Sequence, residues 1–233
     1  MFFDDYPAFC GSTSTAASPR RLNLRHQGII EANRDILAGA RVLDLASHDG
    51  RWSFAALKAG ARHVTGVEAR EDLVRAAEST FADYGVPATD YTFIAGDMFR
   101  VLREHEFDVD VVLCLGFVYH TLRYGELFSA IAATGARHCI VDTKVAVSDE
   151  PVVRLLSNRT ERQANAAEDD LSHDGRTLAG YPSVPALDLI LDVYGFDIED
   201  QFDWAGLLAA QAAKGLAGYS TGERVTLRCR SRG

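Results

Sequence analysis

Between residues 41 and 142, short apolar, β-branched runs alternate with stretches of helical spacing, and this alternation constrains the fold more than any other feature. Residues 41–46, 63–68, 91–95, 108–115 and 137–142 read as strands, because each is a short apolar segment bounded by turn residues. Residues 52–58, 71–84, 98–103 and 124–134 read as the helices between them. Strands that are apolar at nearly every position must be covered on both faces, and parallel neighbours need crossover helices. The expected class is α/β, with a doubly wound, mostly parallel sheet. Residues 182–194 form a further amphipathic helix that Gly195 ends. Two more strands, 196–204 and 224–229, complete a seven-stranded sheet as an antiparallel C-terminal hairpin, and the link 205–222 has room for a short helix.

The flanks are less regular. Residues 1–20 are rich in Ser, Thr, Gly and Pro and read as loop, whereas 22–37 have helical spacing through Leu24, Ile29, Ile30 and Ile36. Residues 147–181 are polar and lack periodicity, which in a compact domain suggests a lid or binding element. The expected organisation is an N-terminal cover and helix over 1–40, then a single domain over 41–233 with a lid-like insertion at 147–181.

With 47% hydrophobic and 24% charged residues in 233, the chain is neither disordered nor collagen-like nor a small disulfide scaffold. No run approaches the roughly 20 apolar residues that a membrane-spanning helix needs. The acidic start, Met1-Phe2-Phe3-Asp4-Asp5, lacks the basic region of a secretory signal, so a cytoplasmic protein without a membrane partner is expected. A net charge of -9 argues against nucleic acid as a general partner. Arg20, Arg21, Arg25, Arg159 and Arg162 are the nearest approach to a basic patch, and they are read as solvated or devoted to one anionic group. Cys10, Cys114, Cys139 and Cys229 show neither CxxC spacing nor a nearby His, so a zinc site and a disulfide framework are both disfavoured.

In doubly wound sheets the ligand sits beyond the carboxyl ends of the strands. The first such end runs Asp44-Leu45-Ala46-Ser47-His48-Asp49-Gly50, where small residues let a backbone approach a ligand and a helix N-terminus follows. Asp44 and Asp49 would repel a pyrophosphate there, and the three-glycine dinucleotide fingerprint is missing. Two carboxylates instead suit a ligand carrying a cationic amino group or sulfonium. Glu68 ends the second strand, 24 residues after Asp44, where a carboxylate can accept from both hydroxyls of a ribose. Gly96-Asp97-Met98 after the third strand offers a carboxylate for an adenine amino group and an apolar side chain for its face. Taken singly, each acid reads as a helix cap; three at successive strand ends point to a nucleoside.

These residues resemble the cofactor motifs of class I S-adenosylmethionine-dependent methyltransferases, over roughly residues 40–142 and more weakly to 229. The resemblance implies the Rossmann-like methyltransferase fold and S-adenosylmethionine as cofactor. It implies that Asp44 and the backbone of Ala46, Ser47, His48, Asp49 and Gly50 hold the methionine part. It further implies that Glu68 and Ala69 hold the ribose, and that Gly96, Asp97 and Met98 hold the adenine, with Leu115 and Gly116 after the fourth strand. Ala46 and His48 stand where the family usually has glycine. The segment Gly116-Phe117-Val118-Tyr119-His120 is similar to one in the tRNA wobble-uridine carboxymethyl transferases, as are Tyr181-Pro182-Ser183 and Gly195-Phe196. The same layout occurs in bacterial enzymes that methylate sugars and natural products. Size and Ala/Arg-rich composition also resemble the sugar 1-O-methyltransferases of mycobacterial methylmannose polysaccharide synthesis.

An acceptor hydroxyl must lose its proton as it attacks a methyl group, and a histidine at a strand end is the natural base. His120 is the candidate, with Tyr119 shaping the pocket. Asp142 is expected to orient His120 or to ligate magnesium if that ion is used. Glu168, Asp169, Asp170, His173 and Asp174 form a second acidic cluster, read as solvated, with His173 as reserve base. Trp204 and Tyr219 are candidates for stacking on a sugar ring, while Trp52 and Phe54 read as core. The expected activity is O-methylation of a small polar acceptor, a sugar or oligosaccharide, by a chain that is free to dimerise. Two alternatives stay open: a methyltransferase acting on a natural product or tRNA wobble uridine, and a non-catalytic binding subunit.

Overall fold

The computed structural model describes residues 1–11, 18–160, 171–211, 216 and 218–233. The chain divides into two compact units, residues 1–113 and 114–233. In the first, α1 (Phe2–Asp5) and a 3-10 turn (Pro7–Cys10) replace the loop expected for residues 1–20. Aromatic burial explains the difference: Phe3 and Phe9 are buried, and Phe2, Tyr6 and Phe9 pack on Phe54. Residues 12–17 of the expected loop lie outside the described residues.

Helix α2 (Pro19–Ile29) starts where Ser18 accepts from the Arg21 amide at 3.3 Å with proline at the first position. The single helix expected over 22–37 breaks after Ile30. A 3-10 turn (Glu31–Asn33) intervenes before α3 (Arg34–Leu37), and the Asn33 side chain donates from Nδ2 back to the Ile29 carbonyl at 3.0 Å. Then come β1 (Arg41–Leu45), α4 (Arg51–Lys58), β2 (His63–Glu68), α5 (Glu71–Asp83), β3 (Tyr91–Ala95) and α6 (Met98–Glu104). β1 pairs with β2, and β2 with β3, both parallel and in register from Arg41↔His63 and Val64↔Tyr91. Gly66 is required in β2, because a Cβ there would lie 2.5 Å from the Phe93 ring.

Strand β4 (Val111–Leu115) is fully buried. The second unit continues through a 3-10 turn (Val118–His120), α7 (Tyr124–Ala133) and β5 (His138–Lys144). Next are β6 (Val153–Arg159), β7 (Arg176–Pro182), α8 (Val184–Val193), β8 (Phe196–Gln201), α9 (Trp204–Ala210) and β9 (Arg224–Ser231). The large sheet has seven strands in the order β3-β2-β1-β4-β5-β9-β8, and β6 with β7 forms a separate pair. The expected class is met: a mostly parallel α/β sheet, whose β8–β9 hairpin is antiparallel.

Three local expectations change. The strand expected over 196–204 stops at Gln201, because Asp203 caps α9 by accepting from the Gly206 amide at 2.8 Å. The segment 147–181, read as irregular, contains β6 and β7, antiparallel from Val153↔Pro182 to Arg159↔Arg176. This hairpin is fastened to the chain after β4: Tyr124 donates its hydroxyl to the Gly180 carbonyl at 2.9 Å. A Cβ on Gly180 would come within 2.6 Å of Leu122 and Tyr124. Its cross-strand pairs, rather than any alternation of polarity, define these strands, so periodicity could not reveal them. Third, residues 212–215 and 217 of the link before β9 lie outside the described residues. Among the described residues, no helix is long and apolar enough to cross a membrane.

Candidate active site

In the first unit, β1 delivers Asp44 into the buried interior, where it accepts from Ser53 Oγ at 2.6 Å. Burial pushes its carboxyl up to about 7, with Glu68 and Asp49 nearby adding to the rise. The loop after β1 turns through left-handed φ values of 53° at Ala46, 57° at His48 and 73° at Gly50. Ala46 and His48 thus adopt the backbone that glycine would adopt more easily, so the loop keeps its bend without its glycines. Ser47 is buried with a hydroxyl that finds no hydrogen-bond partner among the described residues.

Charge in this loop departs from the sequence expectation. Asp49 is not a bare anion: Arg51 donates from Nε to Oδ1 at 2.6 Å and from a terminal nitrogen to Oδ2 at 2.7 Å, and both side chains are buried. His48 Nδ1 lies 3.5 Å from the same carboxylate, which is held far below the usual carboxylate range. With Asp49 paired to Arg51 and burial favouring the protonated form of Asp44, the repulsion of a pyrophosphate by this pair is weaker than the bare count of acids suggested.

Glu68, at the end of β2, accepts from the His48 amide at 2.9 Å with Oε2 and from the Arg70 amide at 3.1 Å with Oε1. Each oxygen keeps a lone pair for a further donor. Ala69 follows it at the strand end. Gly96 donates its amide to the Glu68 carbonyl at 2.9 Å, which ties the end of β3 to that of β2. Asp97 caps α6 by accepting from the Arg100 amide at 2.8 Å, so the simple capping role holds for this acid, and Met98 behind it is buried. The structure therefore brings Asp44, residues 46–50, Glu68 and Asp97 to the carboxyl ends of three adjacent parallel strands.

The second unit carries the other candidates. Leu115 ends β4, and Gly116, at φ 84°, donates its amide to the Asp142 carbonyl at 2.7 Å. The next residues form the 3-10 turn in which the Tyr119 and His120 rings lie 4.2 Å apart. His120 Nδ1 is buried and has no hydrogen-bond partner among the described residues. Burial, reinforced by Lys144 and Arg224, lowers its imidazole to about 4, so it is neutral at neutral pH. Tyr181 of β7 meets Tyr119 edge-on at 5.9 Å, and Lys144 Nζ sits 5.1 Å from the Tyr119 ring centre and 5.5 Å from that of Tyr181.

Asp142 does not orient His120. Its fully buried carboxylate accepts from Arg224 Nε at 2.8 Å, from the Tyr219 hydroxyl at 2.7 Å and from Thr226 Oγ1 at 2.7 Å, and Arg224 makes a second ion-pair contact with it. No trio of His, Cys, Asp or Glu able to hold a metal exists among the described residues, so nothing here supports magnesium at Asp142. Trp204 and Tyr219 are buried against each other at 3.9 Å, with the indole donating to Thr226 Oγ1 at 3.1 Å, so neither is a sugar platform. Trp52 and Phe54 are core, as expected, and the Arg25 guanidinium lies 4.9 Å over the Trp52 ring. Of the second acidic cluster, Glu168, Asp169 and Asp170 lie outside the described residues, as does Arg162. His173 and Asp174 are exposed.

The sequence reading missed Arg51, Ser53, Arg224 and Lys144. Arg51 stands two residues after Asp49, a spacing that alone cannot tell an ion pair from a solvated side chain. The Arg224–Asp142 pair spans 82 residues, and only the β5–β9 register brings it together.

Residues 42–137 match the family model described as a methyltransferase domain. No curated relative matches the sequence. Among solved structures, an S-adenosylmethionine-dependent methyltransferase from Mesorhizobium loti is similar with a TM-score of 0.59 at 16% identity, over 89% of this chain and 99% of that one. Magnesium protoporphyrin IX methyltransferase from Synechocystis PCC 6803, with bound SAH (the demethylated cofactor), gives 0.61 at 16% identity, over 99% and 94%. The N-terminal domain of EvdMO1, solved in the presence of SAH and D-fucose, gives 0.59 at 19% identity, over 91% and 82%.

Proposed function

We propose that this chain, whose residues 42–137 match a methyltransferase domain, moves the methyl group of S-adenosylmethionine to a hydroxyl of a small polar acceptor, a sugar or oligosaccharide. The observation that carries the hydroxyl reading is His120: a neutral imidazole whose buried Nδ1 has no partner among the described residues. The residues at the strand ends suit the cofactor. Glu68 has lone pairs left for ribose hydroxyls, the buried Ser47 hydroxyl lacks a partner among the described residues, and the bent loop presents backbone close by.

When bound, the sulfonium supplies an electrophilic methyl group. The chain positions the reactants and manages the proton. Glu68 holds the ribose, Asp97 and Met98 the adenine, and Asp44 with residues 46–50 the methionine part. His120 takes the proton of the acceptor hydroxyl, and Tyr119 fixes the plane of its ring. Arg224 is kept in place by Asp142 and so sets the electrostatics around Tyr119, whose ring centre is 5.5 Å from the guanidinium. The likeness to a domain solved in the presence of D-fucose supports a sugar acceptor, and a cytoplasmic setting suits an enzyme of this kind. The test is an acceptor screen with methyl-labelled cofactor. Label on a sugar hydroxyl supports the reading, and label only on nitrogen or carbon acceptors overturns it.

A further inference from the structure

Among the described residues, Lys144 and Arg154 are cations without an acidic partner. Both are exposed, and neither forms an ion pair among the described residues, although the chain carries a net charge of -9. They flank one aromatic pair. Lys144 Nζ lies 5.1 Å from the Tyr119 ring centre and donates to the Tyr181 hydroxyl at 3.4 Å, and the Arg154 guanidinium lies 5.4 Å from the Tyr181 ring. Next to Tyr119 is His120, at 4.2 Å between rings. The backbone under this group is held by hydrogen bonds: β7 pairs with β6 along its length and is fastened to Tyr124 through Gly180.

We propose that the methyl acceptor carries an anionic group, a carboxylate or a phosphate, which Lys144 and Arg154 hold over the Tyr119–Tyr181 pair beside His120. The inference rests on the methyltransferase reading and names the class of its substrate. An ammonium has three donors, one of which Lys144 gives to Tyr181, and a guanidinium adds a planar fork suited to either anion. Tyrosine faces hold the cations in place and offer sugar rings a stacking surface. The anion has a second effect. Lys144 is one of the charges that keep His120 from accepting a proton, with Arg224 and burial. An acceptor that offsets the Lys144 charge makes His120 a better base at the moment it is needed.

The test uses inorganic phosphate and acetate, titrated at constant ionic strength against chloride into the full chain with and without SAH. The readout is NMR of ring-labelled tyrosine and histidine, with Tyr119 and Tyr181 signals assigned by single Phe variants. Both anions are expected to shift the Tyr119, Tyr181 and His120 signals saturably, and Lys144→Met, at an exposed position, to weaken that response about tenfold. Tighter phosphate than acetate indicates a phosphorylated acceptor, and the reverse a carboxylated one. No shift with either anion, or a response unchanged in Lys144→Met, overturns the inference. SAH uptake, measured by calorimetry on the same sample, is a separate reading: its absence counts against the cofactor assignment and leaves the anion result standing.

Discussion

Arg51 grips both oxygens of Asp49, at 2.6 and 2.7 Å, within the buried turn that follows β1. The pair closes the loop and cancels its charge. Removing one partner strands the other in a low-dielectric interior, so Arg51→Met or Asp49→Asn is expected to cost about 3–5 kcal/mol of stability. The double variant should lose much less than the sum of the two. Urea unfolding of the four proteins measures this, and additive losses would show the pair to be uncoupled.

The loop's left-handed residues give a prediction of opposite sign. Ala46 at φ 53° and His48 at φ 57° pay a conformational cost that glycine avoids. Ala46→Gly is expected to raise stability by up to about 1 kcal/mol, the gain being reduced by the greater freedom of glycine in the unfolded chain. A loss of stability in thermal unfolding would mean that the methyl group's packing outweighs the strain.

Two buried titratable groups push the pH dependence of stability in opposite directions. Asp44 is raised from 3.8 to about 7, so the native state holds its proton longer than the unfolded state does. Its stabilisation is complete below about 4 and is lost as pH rises through about 7. His120 is lowered from 6.5 to about 4, so its contribution is complete above about 6.5 and is lost as pH falls through about 4. Asp44→Asn should therefore steepen the rise of stability between pH 4 and 7 that His120 imposes. Denaturant midpoints across that window check the slope, and an unchanged profile would place Asp44 in the ordinary carboxylate range.

His120→Ala is expected to cut turnover by about 100-fold or more while changing SAH affinity less than twofold. Single-turnover methyl transfer beside calorimetry separates the two effects. Turnover at the level of the unaltered protein would remove His120 as base.

The sheet was legible because its strands are apolar on both faces and its helices alternate with them, a pattern carried by neighbouring residues. The strand-end acids Asp44, Glu68 and Asp97 were legible for the same reason, since each sits at a fixed offset from an apolar run. The charge state of those acids was not. Whether Asp49 stands alone depends on where the Arg51 side chain turns, and whether Asp44 is ionised depends on burial behind Ser53. The β6–β7 hairpin was hidden because exposed Leu155 and Leu178 share a sheet face with Ser157 and Arg159, which erases the alternation of a half-buried strand. Asp142, read as a partner of His120, is instead claimed by Arg224, Tyr219 and Thr226, all from the last 15 residues of the chain.

The assignment of the ribose to Glu68 is the point on which the cofactor reading turns, and titration calorimetry of SAH reaches it most directly. The unaltered chain is expected to bind SAH at one site. Glu68→Ala, which removes an anionic acceptor, should weaken that binding by roughly tenfold to a hundredfold. Equal affinity in the two proteins, or uptake of a nicotinamide dinucleotide with no uptake of SAH, would contradict the account.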